Sequence, residues 1–192
     1  MEFVDERTIR LDRILNDLDE FALGFTRILE KHSRYVIVSG YVSILFGRAR
    51  ATEDIDVYAP KMTAKKFAGL YNELEKNGFW CLNAEKPGEA YGYLADGLAV
   101  RFAKKDEVIP NVELKFALKK LAKDAFEGAI TVKTAGGDLR ISSLERQIAF
   151  KRYFLKSEKD LEDAAHIEGL FGEHLNKEKI IEIKKLIENE EA

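Results

Sequence analysis

The chain has 192 residues, of which 46% are apolar and 34% charged, and 31 basic and 34 acidic side chains give a net charge of -3. This length supports a hydrophobic core without disulfide bonds, and the charge excludes a strongly basic nucleic-acid coat but leaves room for a local basic cleft. A single cysteine excludes an intrachain disulfide, and one cysteine with three scattered histidines does not predict a Cys/His metal cluster.

Neither the N-terminal sequence nor the longest apolar run carries a targeting or membrane signal. Residues 1–6 are acidic and unlike a signal peptide. Residues 35–47 are too few to span a bilayer, and Ser39 and Gly40 interrupt them. We therefore expect a soluble, cytoplasmic protein with no membrane partner.

The first part of the chain predicts a helix and then a strand, a turn and a short helix. The apolar spacing over residues 8–31 predicts one long amphipathic helix. Residues 35–39 are rich in β-branched side chains and predict a buried strand. Gly40 predicts a turn, and residues 41–46 predict a short helix that ends at Gly47.

The middle of the chain predicts further strands around one helix. Residues 54–58 alternate polar and apolar side chains, which predicts a half-buried strand. Thr63 is a good N-cap for a helix to about Lys76. We expect short strands over residues 79–103 and another strand within residues 109–116.

The last third of the sequence changes to a helical pattern. Residues 118–126 predict a short helix, and residues 129–141 predict a hairpin. Ser142 and Glu145 predict a capping box, with Ser143 as the weaker cap. Three helices are then expected over residues 142–155, 157–170 and 177–189.

These elements predict an α/β (α+β) fold. We expect a small mixed, largely antiparallel sheet with helices on one side, followed by a C-terminal helical bundle. Residues 1–141 would form the α/β domain with its leading helix. Residues 142–192 would form a helical region packed on that domain, because no linker composition separates the two parts.

Two acidic residues follow the predicted glycine turn. Asp54 and Asp56 stand two apart in a strand, so their side chains share one face. Two carboxylates at this separation repel each other unless a cation lies between them, and oxygen ligands favour Mg²⁺ or Mn²⁺. The turn at Ser39 and Gly40 presents backbone N–H groups and a helix N-terminus to a phosphate. The combination indicates phosphoryl or nucleotidyl transfer.

Residues 39–57 resemble the nucleotidyltransferase superfamily that has a polymerase-beta-type palm, in which a Gly-Gly or Gly-Ser turn precedes an Asp-x-Asp strand. The segment is most similar to the branch of abortive-infection and toxin-type nucleotidyltransferases of prokaryotes. Gly40-Tyr41, Gly47 and the run from Arg50 to Asp56 stand where that branch has its turn, a later glycine and Arg-x-Thr-x-Asp-Ile-Asp. Ser39 departs from the pattern, because it replaces the usual first glycine.

The resemblance implies that a third acid joins Asp54 and Asp56, as a general base or a further metal ligand. Glu113 is our choice, because it stands between apolar neighbours on a predicted strand. Asp106 and Glu107 are alternatives in a charged, turn-like run.

The predicted C-terminal helices also resemble this branch, which has a lysine followed by a basic-Asp-x-x-Asp segment. Lys151 and residues 159–163 match that pattern. The resemblance implies that Lys151 reaches phosphate and that Asp160 orients it or the substrate, with Asp163 as a weaker candidate. Arg50 would counter the triphosphate charge or pair with Glu53 on the surface. The full set of expected nucleotide-binding residues is Ser39, Gly40, Arg50, Thr52, Lys151 and Asp160.

We therefore predict a metal-dependent nucleotidyltransferase that moves a nucleoside monophosphate from a nucleoside triphosphate to an acceptor hydroxyl. The acceptor would be an RNA such as tRNA, a protein or a small molecule, and the resemblance also implies a toxin with an antitoxin partner. The alternative is a catalytically inactive nucleotidyltransferase-fold module that binds or regulates a partner. A plain nucleic-acid binder is disfavoured by the net charge of -3.

Overall fold

The computed structural model describes residues 1–191, which form one mixed α/β arrangement. The strands are β1 Glu2–Asp5, β2 Thr8–Arg10, β3 Val36–Val38, β4 Asp54–Ala59, β5 Phe79–Cys81, β6 Val100–Lys104, β7 Asn111–Phe116, β8 Ile130–Thr134 and β9 Gly137–Ile141. The α-helices are α1 Asp17–His32, α2 Gly40–Leu45, α3 Ala64–Lys76, α4 Pro87–Ala95, α5 Lys120–Asp124, α6 Leu144–Ala149, α7 Glu158–Phe171 and α8 Lys177–Glu191.

All nine strands belong to one sheet, in the order β1-β2-β8-β9-β3-β4-β7-β6-β5. Five neighbouring pairs are antiparallel, and β2 with β8, β3 with β9 and β4 with β7 are parallel. The predicted mixed, largely antiparallel sheet and the helical C-terminal region are confirmed.

Strand β4 lies near the centre of the sheet and separates the core from the candidate site. Ile55 and Val57 are buried on one of its faces, while Asp54 and Asp56 are partly exposed on the other. The predicted half-buried strand is therefore confirmed. The parallel pairing with β7 sets Asp56 opposite Glu113.

The main hydrophobic core lies between the sheet and helices α1, α3 and α4, and aromatic rings contribute much of it. Phe25 packs on Phe79 and Phe102 with ring centroids 5.6 and 5.7 Å apart, and Tyr71 meets Phe102 at 5.7 Å. Edge-on and tilted packing of this kind adds to the free energy gained from burial. A smaller cluster on the other face of β3 joins Val36 to Ala125 after α5.

The predicted long helix over residues 8–31 is wrong at its start. Thr8–Arg10 is instead a strand that pairs in parallel with Thr131–Lys133. The helix begins after Asn16, whose side chain accepts from the Asp19 N–H while the Asp19 side chain accepts from the Asn16 N–H. This reciprocal cap fixes the start of α1. The residues before the cap include a strand because β8, distant in sequence, lies beside them.

The prediction of strands over residues 79–103 missed a helix. Strands β5 and β6 are present, but Pro87–Ala95 between them is helical. Pro87 is suited to the first helical turn because its ring fixes φ and that turn needs no N–H donor. Ala90 and Leu94, four residues apart, are fully buried on one face. Two glycines in the segment obscured this helical spacing.

The capping box expected at Ser142 is also wrong by one residue. Ser143 is the N-cap of α6, and its hydroxyl accepts from the Arg146 N–H at 3.2 Å. The Ser142 hydroxyl accepts from Gln147 Nε2 at 2.6 Å, so it is occupied by a side chain inside the helix. The helix continues as a π-helical segment over Phe150–Leu155.

The C-terminal helices pack on one another, and α7 also contacts α2 behind the glycine turn. The division between residues 1–141 and 142–192 stays a prediction, and Ala192 lies outside the described residues. No helix within residues 1–191 has both the length and the apolar composition that a bilayer span requires.

Candidate active site

The turn between β3 and α2 has an unusual backbone and a tightly packed glycine. Ser39 has φ 66° and ψ -141°, a conformation that glycine adopts readily and that strains other residues. A Cβ atom on Gly40 would lie 3.1 Å from Arg50 Nη2. The Arg50 guanidinium therefore rests against the Gly40 backbone, and a side chain at residue 40 would displace the guanidinium by a few tenths of an ångström.

A buried carboxylate on α1 holds helix α2, although the sequence analysis did not single it out. Asp19 is fully buried and accepts from Arg13 at 2.7 and 2.8 Å and from the Tyr41 hydroxyl at 2.9 Å. Arg13 Nε also donates to the Leu45 carbonyl at the end of α2. Burial raises the pKa of Tyr41 and the Asp19 charge raises it further, so the hydroxyl stays protonated as a donor. Both ends of α2 are thereby fixed.

Asp54 and Asp56 lie on one wall of a cleft of about 480 Å³. The Thr52 hydroxyl is 3.2 Å from Asp54 Oδ1 and orients that carboxylate. Burial raises the pKa of Asp56, as do the charges of Asp54 and Glu113, although Lys115 opposes them. The oxygens of these two neighbouring carboxylates suit a divalent cation such as Mg²⁺ or Mn²⁺, and such an ion would favour the charged form of Asp56.

Glu113 does not point a free carboxylate into this cleft. Its Oε1 accepts from Arg101 Nε at 2.8 Å, and its Oε2 accepts from Lys115 Nζ at 3.0 Å. Burial acts to raise the pKa of Glu113, but the hydrogen bonds and charges of Lys115 and Arg101 outweigh it, so the net direction is downward. Within residues 1–191, no three His, Cys, Asp or Glu side chains are arranged to hold a metal ion together.

The alternative third acids, Asp106 and Glu107, are exposed in the turn between β6 and β7. Neither lines the cleft that contains Asp54 and Asp56. The structure therefore assembles a pair of carboxylates in the cleft, with the third acid beside the pair and bonded to cations.

A buried carboxylate on α7 gathers three cations behind the cleft. Asp163 is fully buried and accepts from Lys151 Nζ at 2.7 Å. It also pairs with Arg48 and with Arg50. Asp160 lies 3.6 Å from Lys151 and lines the cleft itself. We name the group Arg48, Arg50, Lys151 and Asp163 the cation cluster. Glu162 also pairs with Arg48, and Asp160 with Lys151, so the three cations face three carboxylates in all.

The surroundings of Lys151 make its charged form less stable than that of an exposed lysine. Burial lowers its pKa to about 8, the charges of Arg50 and Arg48 act in the same direction, and Asp160 opposes them. A bound anion would favour the charged ammonium. Asp163 is expected from the sequence only as a weaker candidate, and Arg48 is not among the expected residues. The alternation Arg48-Ala49-Arg50 before the acidic strand was the signal that could have found the second arginine.

A second cavity of about 230 Å³ continues from the cleft past Asp56. Ser39, Asp56 and Leu155 line both spaces. Its other walls combine three aromatic rings, from Tyr58 on β4 and from Phe150 and Phe154 on the π-helical segment, with polar side chains. The polar side chains are those of Lys115, Arg146, Gln147 and Lys151. The cavity is below the range of roughly 300–1,000 Å³ that drug-sized ligands occupy, so it suits one ring system or part of a larger ligand.

Most of the residues expected from the sequence thus come together. Ser39, Gly40, Arg50, Thr52, Asp54, Asp56 and Asp160 line the cleft. Lys151 lines the adjoining cavity, while Glu113 lines neither space and contacts the site through Lys115.

Comparison with solved structures relates the fold of this chain to nucleotidyltransferases. A solution structure of the antibiotic-resistance factor ANT(2'')-Ia is 16% identical, with a TM-score of 0.54, over 91% of this chain and 94% of that chain. A crystal structure of ANT(2'')-Ia in complex with adenylyl-2''-tobramycin is 17% identical, with a TM-score of 0.54, over 91% of this chain and 97% of that chain. An antigenic nucleotidyltransferase-like protein from Paracoccidioides brasiliensis is 16% identical, with a TM-score of 0.51, over 79% of this chain and 74% of that chain.

These likenesses establish the nucleotidyltransferase fold, and the resemblance inferred from residues 39–57 is confirmed for the fold. No family model matches the chain, and no curated protein matches it in sequence.

Proposed function

We propose that this protein is a nucleotidyltransferase that transfers a nucleoside monophosphate from a nucleoside triphosphate to an acceptor hydroxyl. The observation that carries the proposal is the cleft in which Asp54 and Asp56 share one wall with the Ser39–Gly40 turn and the cation cluster adjoins it. The shared fold supports the reaction class, because the solved neighbours include an adenylyl-tobramycin complex of ANT(2'')-Ia.

The triphosphate would bind between the glycine turn and the cation cluster. Arg50 is held against Gly40 and paired with Asp163, so its guanidinium is already oriented before a ligand arrives. Lys151 and Arg48 pair with the same Asp163 carboxylate, which places two further cations beside Arg50. Groups fixed in advance lose little freedom on binding, and they stabilise charge that develops on phosphate oxygens during transfer.

Asp54 and Asp56 are the residues that would hold Mg²⁺ or Mn²⁺. Such an ion would supply positive charge to the phosphate oxygens and to the attacking and leaving groups. Thr52 holds the Asp54 carboxylate in place through its hydroxyl. Glu113 has a lowered pKa and two cationic partners, so we assign it to holding Lys115 beside Asp56 rather than to proton transfer.

The cavity past Asp56 would receive the nucleoside part of the donor. It is continuous with the proposed phosphate site through Ser39 and Asp56, and its size suits one base. Tyr58, Phe150 and Phe154 offer ring faces on which a base can stack, an interaction worth roughly 1–3 kcal/mol for single-stranded nucleic acids.

The acceptor can be identified by following the labelled α-phosphate of the nucleotide into one of several acceptor fractions. The chain is incubated with each α-labelled nucleoside triphosphate, Mg²⁺ or Mn²⁺, and in turn total RNA, total protein or an aminoglycoside mixture. The proposal predicts label in one acceptor fraction with the wild type and none with Asp56→Asn. Binding of nucleotide without labelling of any fraction would instead favour the inactive binding module. The toxin role is tested by comparing the growth of cells that express the wild type or Asp56→Asn.

A further inference from the structure

Lys115 connects two of the three acids that were expected to bind metal. Its ammonium lies 3.3 Å from Asp56 Oδ1 and 3.0 Å from Glu113 Oε2. The lysine stands two residues after Glu113 on β7, so both side chains share a face of the sheet, and the parallel register sets Asp56 beside Glu113 on the neighbouring strand. The ammonium is therefore placed by the sheet itself, between carboxylates of two adjacent strands.

This position differs from that of an ordinary surface lysine. The Lys115 side chain is 31% exposed, and its partners are 24% and 10% exposed. The charges of Asp56 and Glu113 raise the pKa of Lys115 against the opposing effect of burial. Arg101 holds the other oxygen of Glu113. Lys115 and Arg101 thus offset two of the three charges of Asp54, Asp56 and Glu113, which leaves one formal negative charge.

Sites that transfer phosphate with two metal ions commonly hold the ions roughly 3.5–4 Å apart between shared carboxylates. Here one side of Asp56 is already bonded to an ammonium, and Glu113 has no oxygen without a cationic partner. No lysine or arginine among the described residues donates to the Asp54 carboxylate or to the Oδ2 atom of Asp56.

We propose that Lys115 is a fixed cation in the place of a second divalent ion, so that this chain binds one divalent ion where three carboxylates would otherwise accommodate two. The inference rests on the proposed function, since it concerns the same acidic site. Lys115 is a positioning residue: it holds Asp56 toward Glu113 and neutralises the charge that a second ion would otherwise balance. Two carboxylates with substrate phosphates suffice for a single Mg²⁺.

The number of metal ions bound per chain tests this inference without reference to catalysis. Free Mn²⁺ is measured by electron paramagnetic resonance during titration of the nucleotide-free chain. Four proteins are compared: wild type, Lys115→Met, Lys115→Arg and Lys119→Met. Lys115→Arg keeps the positive charge, and Lys119→Met removes an exposed lysine four residues further along the chain. Circular dichroism verifies that each variant is folded.

The inference predicts one Mn²⁺ for the wild type, Lys115→Arg and Lys119→Met, and two for Lys115→Met. Two ions on the wild type would overturn it, and this result does not depend on any variant being folded. Unchanged binding of one ion by folded Lys115→Met would also overturn it, while leaving the proposed function intact. Absence of binding by the wild type, both alone and with a non-hydrolysable triphosphate analogue, would overturn the proposed metal site as well.

Discussion

Ser39 strains the turn between β3 and α2, which is the proposed phosphate site. Its φ of 66° places a side chain where the resembling family has glycine, and such backbone strain costs of order 1–3 kcal/mol. At the adjoining Gly40 a Cβ would lie 3.1 Å from Arg50 Nη2, so a side chain there would push the guanidinium away from the backbone. The two positions of the turn therefore have different requirements, one for backbone conformation and one for close packing.

Ser39→Gly is expected to stabilise the protein by about 1 kcal/mol, because the strain is released and only part of that gain is offset by the greater freedom of glycine in the unfolded chain. Denaturant unfolding measures the change. Ser33→Gly is the matched control, since Ser33 ends α1 with an extended φ of -161° and has no such strain. Equal destabilisation by both substitutions would contradict this account of the turn.

We expect Lys151 to make the affinity of the proposed triphosphate site depend on pH. Its pKa is lowered to about 8, so the free protein loses this positive charge as pH rises through that value. Bound phosphate favours the charged form, and affinity should be full below about pH 8 and fall above it. Titration calorimetry with a non-hydrolysable triphosphate analogue across this range measures the effect.

Lys151→Arg supplies the comparison, because a guanidinium stays charged throughout that pH range. The affinity of this variant should show little of the decline above pH 8. Parallel declines in the wild type and Lys151→Arg would show that another group controls the pH dependence.

Helix α2 is held in position by residues that lie outside the candidate active site. It begins at the Ser39–Gly40 turn, yet Asp19 and Arg13 fix its orientation through bonds to Tyr41 and to the Leu45 carbonyl. His166 on α7 lies 3.1 Å from the Phe46 carbonyl at the other end of α2. The N-terminal and C-terminal parts of the chain thus meet on this short helix.

Asp19→Asn is expected to destabilise the protein by roughly 3–5 kcal/mol, because it leaves the partly buried Arg13 guanidinium without its charged partner. Tyr41→Phe removes one hydrogen bond to the same carboxylate, and a loss of about 1 kcal/mol follows. Thermal or denaturant unfolding of both variants measures these values. A neutral effect of Asp19→Asn would show that α2 does not depend on this contact.

The elements that could be predicted are those set by local spacing and caps. Thr63 caps α3, Ser157 caps α7, and the alternation at residues 54–59 produces β4. Two missed elements have different causes. Strand β2 forms because β8, distant in sequence, lies beside it. The buried face of α4 was not recognised because two glycines interrupt its apolar spacing.

The candidate site divides in the same way. Asp54 and Asp56 could be placed on one face from their spacing alone, and both line the cleft with Gly40. The position of Lys115 between Asp56 and Glu113 depends on the register of β4 against β7, which no local pattern specifies. Likewise, the convergence of Arg48 on Asp163 requires α7 to pack beside the loop after α2.

At the scale of the whole molecule, the site lies where the acidic strand of the sheet meets the C-terminal helices. The sheet supplies Asp54 and Asp56, while the helices supply Lys151, Asp160 and Asp163. The carboxylates and the cation cluster thus come from parts of the chain about a hundred residues apart, and only the complete fold joins them.

The central claim is tested most directly by following both ends of the triphosphate in one reaction. Nucleoside triphosphate labelled at the α- or the γ-phosphate is incubated with the acceptor fraction and the wild type, Asp54→Asn or Asp56→Asn, each verified as folded by circular dichroism. We predict that the wild type attaches the α-label to the acceptor and releases the γ-label as pyrophosphate, and that both variants do neither. Attachment of the γ-label, or undiminished α-labelling by either folded variant, would contradict the account.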